Sequence, residues 1–365
     1  MRSFLLAVVL VAVTACSSAS PPAPPPGAGP LSSPAAGTSV VTVEGNRLVD
    51  QGGRTVELKG VNRSGTQYAC TTGPNAFDGP TDQGSIDAMR SWNITAVRVS
   101  LNEQCWLGVN GLPVRMSAED YRRAVVDFVD RLTANGLVVI VDLHWNAPGT
   151  QRALGQKPMA DRDHAPDFWR SVAATFAPNR AVLFDLYNEP YPDKNRDDDA
   201  AWTCVRDGGD CPGVGFTAAG MQELLDAVRS TGAQNPVLVG GAQWAGSVTK
   251  WLQYRPNDPL HQLVASIHIY GPPPNDTACS TADCWNATMA PLATQVPVVI
   301  GEMGDMDCTS QVIDPLADWA DARGVGYLAW AWVTSDCAGE PALISDYDGT
   351  PTRYGAGLRN HLLRQ

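Results

Sequence analysis

Positive charge is scarce in this chain: 26 Lys and Arg stand against 38 Asp and Glu in 365 residues, a formal charge of −12. A surface so acidic offers no basic face to phosphates, which argues against nucleic acid as a partner. Uncharged apolar runs are short, and none reaches the roughly 18 residues that a membrane span needs. No GxGxxG or GxxxxGK[ST] follows a strand-like run, so a nucleotide-phosphate cradle is missing. No CxxC pair occurs, which removes the usual spacing of a zinc site. What is plentiful is apolar residues, at 44%, and tryptophan, at 11. One large globular domain is the expectation.

Residues 1–16 read as an export signal. Arg2 supplies the positive end, and Phe4–Val13 is apolar but too short to span. The segment closes on Val13-Thr14-Ala15-Cys16, which resembles a bacterial lipoprotein signal and implies acylation of Cys16. Two or more acyl chains would hold the protein on a membrane surface; ordinary secretion after cleavage near Ala15 is the alternative. Nine Cys less Cys16 leave eight, an even number in a chain addressed to an oxidising compartment. The short spacings Cys204…Cys211 and Cys279…Cys284 suggest local staples. Pairing cannot be deduced from sequence, and Cys70 with Cys105 and Cys308 with Cys337 are the expected remaining pairs.

Residues 17–39 are almost entirely Ser, Ala, Pro and Gly, with Pro24-Pro25-Pro26 among them. They cannot bury a core and are expected to form an extended spacer. The folded domain is expected over 40–365, opening with a small β-hairpin from Val40–Val43 and Arg47–Val49 around Gly45-Asn46 that covers the domain's base. Strand-length apolar runs then recur at Val56–Val61, Ala96–Leu101, Val138–Leu143, Val182–Tyr187, Val237–Gly241, Val264–Tyr270, Val298–Gly301 and Tyr327–Trp332. Their near-continuous hydrophobicity suits strands covered on both faces. Helical spacing lies between them: Tyr121, Val125, Phe128 and Leu132 share one face, as do Phe168, Val172 and Phe176, and Ile313, Leu316 and Ala320. Asn135-Gly136 and Arg323-Gly324 read as helix stops. Eight strands alternating with helices predict an α/β fold, a (β/α)8 TIM barrel; a doubly wound sheet is the runner-up. The Asp-, Gly- and Pro-rich Pro190–Gly215 is an excursion from the top of the fourth strand.

In such a barrel the active site sits at the C-terminal ends of the strands. The polar residues there are Arg98 on the second strand, Asp142 and His144 on the third, and Asp185, Asn188 and Glu189 on the fourth. His268 and Tyr270 follow on the sixth, Glu302 on the seventh, and Trp330 and Trp332 on the eighth. Alternation places Asp142 with His144, His268 with Tyr270, and Trp330 with Trp332 on common faces. Glu189 and Glu302 can face one another across the mouth, and paired carboxyls of this kind perform glycoside chemistry. Arg98 is placed to keep a nucleophile ionised, Asn188 to donate to a sugar hydroxyl, and His268 and Tyr270 to orient the carboxylates.

Val182-Leu-Phe-Asp-Leu-Tyr-Asn-Glu-Pro-Tyr191 resembles the signature of glycoside hydrolase family 5, the cellulase family. Arg98, His144, Asn188, Glu189, His268, Tyr270, Glu302 and a Trp on the eighth strand match that family's active-site set in order. The resemblance spans 40–365 and implies a retaining mechanism, with Glu189 as acid/base and Glu302 as nucleophile, and no cofactor or metal. It implies a β-linked polysaccharide or oligosaccharide substrate, with β-1,4-glucan leading and β-mannan, β-1,3-glucan or a glycolipid glycan as alternatives. With the N-terminal signal, the expectation is an exported, monomeric enzyme, anchored at Cys16 or secreted. Met303 departs from the aromatic residue that many relatives carry after the glutamate, and is expected to reshape the pocket wall. Trp330 is preferred over Trp332 as the eighth-strand match.

Other readings compete. A carbohydrate-binding lipoprotein on a retired enzyme scaffold would lose a carboxylate, and both are present. A metal-dependent hydrolase lacks the HxH expected on a first strand. Asp142 and Asp185 read as structural hydrogen-bonders, Asn62 as site residue or turn cap, and His164 and His361 as solvated. Trp92, Trp169 and Trp319 are expected in the core; Trp106, Trp145, Trp244 and Trp285 are candidate sugar platforms, with Trp145 and Trp244 ahead.

Overall fold

A computed structural model describes residues 40–113, 116–271, 279–335, 337 and 340–364. Cys16, the export signal and the 17–39 linker lie outside the described residues. The strands are β1 (Thr42–Glu44), β2 (Arg47–Val49), β3 (Lys59–Arg63), β4 (Ala96–Asn102), β5 (Val138–Trp145), β6 (Val182–Asp185), β7 (Gly208–Asp210), β8 (Thr217–Ala219), β9 (Val237–Gly240), β10 (Leu263–Gly271), β11 (Val298–Asp305) and β12 (Gly326–Ala329). Eight of them, β3-β4-β5-β6-β9-β10-β11-β12, close into an all-parallel barrel in chain order. This is the predicted (β/α)8 architecture.

The helices follow the expected apolar stripes. In Ala118–Ala134, Tyr121, Val125, Phe128 and Leu132 are buried, with Ser117 capping through Asp120 N–H. Ala165–Phe176 buries Phe168, Val172 and Phe176, and Ile313–Asp321 buries Ile313, Leu316 and Ala320. The hairpin β1–β2 turns at Gly45, whose φ is +63°, a left-handed value that glycine adopts without a Cβ clash. Val43 bonds Gln262 Oε1 at 2.8 Å, and Val41 and Leu48 join an apolar layer at the base of the barrel.

That layer takes Leu58, Ala96, Val138, Ile140, Leu183, Leu238, Val264, Val299 and Leu328 from or beside every barrel strand. Side chains on one face recur every second residue. Moving up from this layer, the inward positions therefore change from aliphatic to Arg98, Asp142, Asp185 and His268, all essentially inaccessible. The apolar base fixes the barrel, and the polar layer above it becomes the floor of a site.

The first barrel strand departs from expectation. Val56–Val61 was the apolar run, yet the strand is Lys59–Arg63. Thr55 bridges Val49, and Val56 N–H donates to Leu48 O at 2.8 Å, so the start of the run belongs to the hairpin. On β11 the ladder to β10 skips between Ile300 and Glu302, a bulge at Gly301. Without that extra residue, the alternation that buries Val299 inside would turn Glu302 outward. The excursion Pro190–Gly215 holds the helix Asp199–Asp207 and β7, which pairs with β8. Disulfides join Cys70–Cys105, Cys204–Cys211, Cys279–Cys284 and Cys308–Cys337. No described helix is long and apolar enough to cross a membrane.

Candidate active site

Arg98, fully buried on β4, organises the floor. Its Nε donates to Asp185 Oδ2 at 3.0 Å, its Nη1 to Asn62 Oδ1 at 3.0 Å and Glu302 Oε1 at 2.8 Å, and its Nη2 to Asn188 Oδ1 at 2.9 Å. Asp142 Oδ2 lies 3.2 Å from Nη2. Burial opposes the guanidinium charge, but Asp142, Asp185 and Glu302 outweigh it and hold the pKa above its ordinary value. Asp185 is pushed up to about 7 by burial, against the pull of Arg98. Asp142 and Asp185 thus act through Arg98 rather than as remote structural groups. Asn62 also belongs to the floor, since its amide donates to Gly301 O at 3.0 Å.

Glu302 is held at both oxygens, by Arg98 and by Tyr270, whose hydroxyl donates to Oε2 at 2.6 Å. Two donors on one buried carboxylate fix its orientation. Burial, reinforced by the two glutamates, keeps the Tyr270 phenol well above its usual range, so it remains a donor. Glu189 has no such clamp. Its side chain is 18% exposed, and burial raises its carboxyl to about 7 against the pull of His144 and Arg98. The two glutamates therefore sit in different surroundings, Glu302 gripped at both oxygens and Glu189 raised by burial so that it can hold a proton near neutrality.

His268 sits between them, with Nδ1 at 3.0 Å from Glu189 Oε1 and 3.6 Å from Glu302 Oε2. Burial lowers its pKa to about 4, so the ring is neutral. A Cβ on Gly301 would lie 2.8 Å from Ser266 Oγ and 3.0 Å from His268 Nε2, so only glycine lets the ring stay where it is. One atom each from Glu189, His268 and Glu302 falls within 4.8 Å of the others. A cation could use such a set, but the Arg98 charge 2.8 Å from Glu302 already supplies the counter-charge. The separation suits the roughly 5–5.5 Å at which one carboxylate attacks carbon while the other protonates the leaving oxygen; inversion needs about 6.5–9.5 Å for water.

The remaining predicted residues divide. His144 Nδ1 lies 2.8 Å from Asp142 Oδ2, and its ring stacks on Trp330 at 5.5 Å. Trp330 donates to Glu340 Oε2 at 2.7 Å. Trp332 is fully buried and packs edge-on against Trp92 at 4.9 Å, so it is core. Strand β12 ends at Ala329, and the alternation that placed Trp332 beside Trp330 no longer applies beyond it. Trp244 is exposed and stacks on Tyr191 at 3.6 Å, and Trp145 is half-buried, 6.3 Å from Tyr68. Trp106 and Trp285 are not platforms: both are buried, donating to Ser171 Oγ and Cys279 O. Trp92, Trp169 and Trp319 are in the core as expected. Met303 is sealed in the layer between strands and helices, not on the pocket wall, because the bulge turns it outward as it turns Glu302 in. His164 is half-buried against Gly149 O, whereas His361, expected in solvent, is buried between Asp318 and Asp321. Sequence reasoning missed Gln156 and Glu340, which lie in loops without periodicity; the charges of Asp142 and Asp185 on inward positions were the available signal for the floor.

The model of the cellulase family, glycosyl hydrolase family 5, matches residues 49–336. A mannan endo-1,4-beta-mannosidase of Streptomyces lividans is 26% identical over 315 residues, covering 83% of this chain and 70% of that protein. Endoglucanase E-5 of Thermobifida fusca is 24% identical over 319 residues, 82% of this chain and 58% of that protein. This chain thus spans little more than half of some of its curated relatives. Among solved structures, a beta-glucanase of Saccharophagus degradans in complex with cellotetraose superposes with a TM-score of 0.66 at 18% identity, over 90% of this chain and 94% of that one. An endocellulase from Pyrococcus horikoshii gives 0.67 at 19%, over 89% and 99%. The barrel, its floor and the family match agree, and the chain belongs to glycosyl hydrolase family 5, the cellulase family.

Proposed function

We propose that the protein is a retaining glycoside hydrolase acting on a β-linked glycan, most naturally a β-1,4-glucan, as an endoglucanase. The observation that carries this is the asymmetric pair: Glu302 clamped by Arg98 and Tyr270, with Glu189 unclamped and raised to about 7 within reach. Glu302 attacks the anomeric carbon as Glu189 gives its proton to the departing oxygen. Glu189, now a base, takes a proton from water, which releases the sugar from Glu302. Arg98 and Tyr270 oppose charge on Glu302 before attack and after release. His144 and Trp330 form one wall for the glycone, and Trp145 and the Tyr191–Trp244 stack are the apolar faces for flanking sugars. We infer that the protein acts as a monomer. A β-mannan is the second reading, favoured by the Streptomyces mannosidase match.

The test is product release from soluble β-glucans and β-mannan by the wild type and Glu302→Gln. Activity on one polymer that vanishes in the variant supports the assignment, whereas activity surviving Glu302→Gln refutes the two-glutamate mechanism. Chelation with EDTA should leave the rate unchanged. We further infer an exported protein with a catalytic domain over 40–365, held by a lipid at Cys16 through the 17–39 spacer. Four disulfides support the oxidising compartment. Cys16→Ala should free it from the membrane fraction, and unchanged partitioning would refute the anchor.

A further inference from the structure

The loop after β5 folds back onto the residues that follow β6, and one of its side chains touches the catalytic floor. Gln156 Oε1 accepts from Asn188 Nδ2 at 3.0 Å, while Gln156 Nε2 donates to Lys157 O at 3.0 Å and Glu189 O at 3.1 Å. With both Nε2 contacts on carbonyls, the orientation of the Gln156 amide is fixed and its oxygen must face Asn188. The loop backbone is itself pinned. Tyr187 hydroxyl donates to Lys157 O at 2.6 Å, and Tyr191 N–H to Pro158 O at 2.9 Å.

Asn188 is therefore held from two sides, its oxygen on Arg98 Nη2 and its nitrogen on Gln156. Because Arg98 also grips Glu302, the Asn188 amide and the nucleophile sit on one guanidinium. The carbon bonded to the anomeric centre carries the 2-hydroxyl, and an amide sharing one guanidinium with Glu302 is a candidate partner for that group when Glu302 faces the anomeric carbon. An amide nitrogen has two protons, and Gln156 takes one, which leaves the other in a set direction. Hydrogen bonds to the 2-hydroxyl strengthen in the transition state of glycoside cleavage, and their value depends on how well the donor is positioned beforehand.

We propose that Gln156 is a positioning residue that aims the Asn188 amide at the 2-hydroxyl of the sugar held between Glu189 and Glu302. This rests on the glycosidase reading above. Gln156 touches no reacting atom. Its effect reaches the substrate through Asn188, and through the Glu189 carbonyl it ties the same loop to the acid.

The test compares an aryl β-cellobioside and an aryl β-mannobioside with their analogues lacking the 2-hydroxyl on the reacting sugar, in wild type, Gln156→Ala and Gln156→Glu. In the wild type the missing hydroxyl lowers kcat. In Gln156→Ala that penalty should shrink by about tenfold, the worth of one directed hydrogen bond, with kcat on the intact glycoside falling and KM nearly unchanged. Gln156→Glu keeps an acceptor for Asn188 and should retain more of the 2-hydroxyl dependence than Gln156→Ala. An equal loss on hydroxylated and deoxy substrates would show a merely structural role and overturn the proposal. Wild-type turnover with an unchanged penalty in Gln156→Ala would overturn it while leaving the glycosidase reading intact. A wild type silent on both intact glycosides would overturn the two together.

Discussion

Arg98 Nη1 stands 2.8 Å from Glu302 Oε1, and both side chains are almost completely buried. The pair is one arm of a guanidinium that also serves Asp185, Asn62, Asn188 and Asp142. Lysine cannot reproduce this fork, since an ammonium offers a point charge in place of five fixed donors. Arg98→Lys should fold but lose at least about 100-fold in kcat/KM, as Glu302 and Asn188 lose their common support. Arg98→Ala leaves three buried carboxyl groups without a cation and should cost about 3–5 kcal/mol of stability. Thermal denaturation beside kinetics separates the two effects. Wild-type kinetics in Arg98→Lys would refute the fork's role.

The two eighth-strand tryptophans should behave oppositely. Trp332 is fully buried against Trp92, so Trp332→Ala opens a cavity and should cost about 3–5 kcal/mol. Trp330 faces His144 and is held by Glu340. Trp330→Ala should lower kcat/KM by about tenfold or more with a smaller loss of stability. Denaturant melts of both variants, with glucan or mannan kinetics, would expose a reversal.

The same pair shows what the sequence could and could not reveal. The barrel and the paired glutamates were legible because continuous apolar strands and the Asn188-Glu189-Pro190 turn are local patterns. The polar floor was partly legible, because Arg98 inside Val97-Arg98-Val99 demands a carboxylate partner. Alternation failed where the extended backbone stopped: Trp332 lies beyond the end of β12, and Met303 lies beyond the Gly301 bulge. Val56 looked like barrel strand because hairpin and barrel share one apolar layer at the base. Gln156 and Glu340 reach the site through loop paths that no periodicity encodes, and His361 was hidden because its two carboxylate partners lie on another helix.

Protonation gives a third prediction. In the proposed role Glu189 must carry a proton to act on a leaving oxygen, and burial raises its carboxyl to about 7. The alkaline limb of kcat/KM should therefore fall tenfold per pH unit above about 7. His268, lowered to about 4, stays neutral through that range and adds no second alkaline limb. Glu189→Gln should abolish that limb and cost about 100- to 10,000-fold on glycosidic leaving groups. The loss should be far smaller on an aryl glycoside whose phenol leaves without a proton. A pH–rate profile on both substrate types decides this. An alkaline limb surviving in Glu189→Gln would assign it to another group.

Burial of Glu189 also bears on stability, with a definite sign. A carboxyl near 4.5 in the unfolded chain and about 7 in the folded one binds more protons when folded across that window. Stability from this group is therefore fully present below about pH 4.5 and falls as pH rises through 7, where the desolvated charge must be carried. The side chain retains 18% exposure, so solvent softens the effect to a few kcal/mol at most. Glutamine has the same shape and no charge. Glu189→Gln should accordingly melt higher than the wild type at pH 8 and at nearly the same temperature at pH 4.5. A variant that melts lower at pH 8 would mean that the ionised Glu189 gains more from His268, His144 and Arg98 than burial takes away.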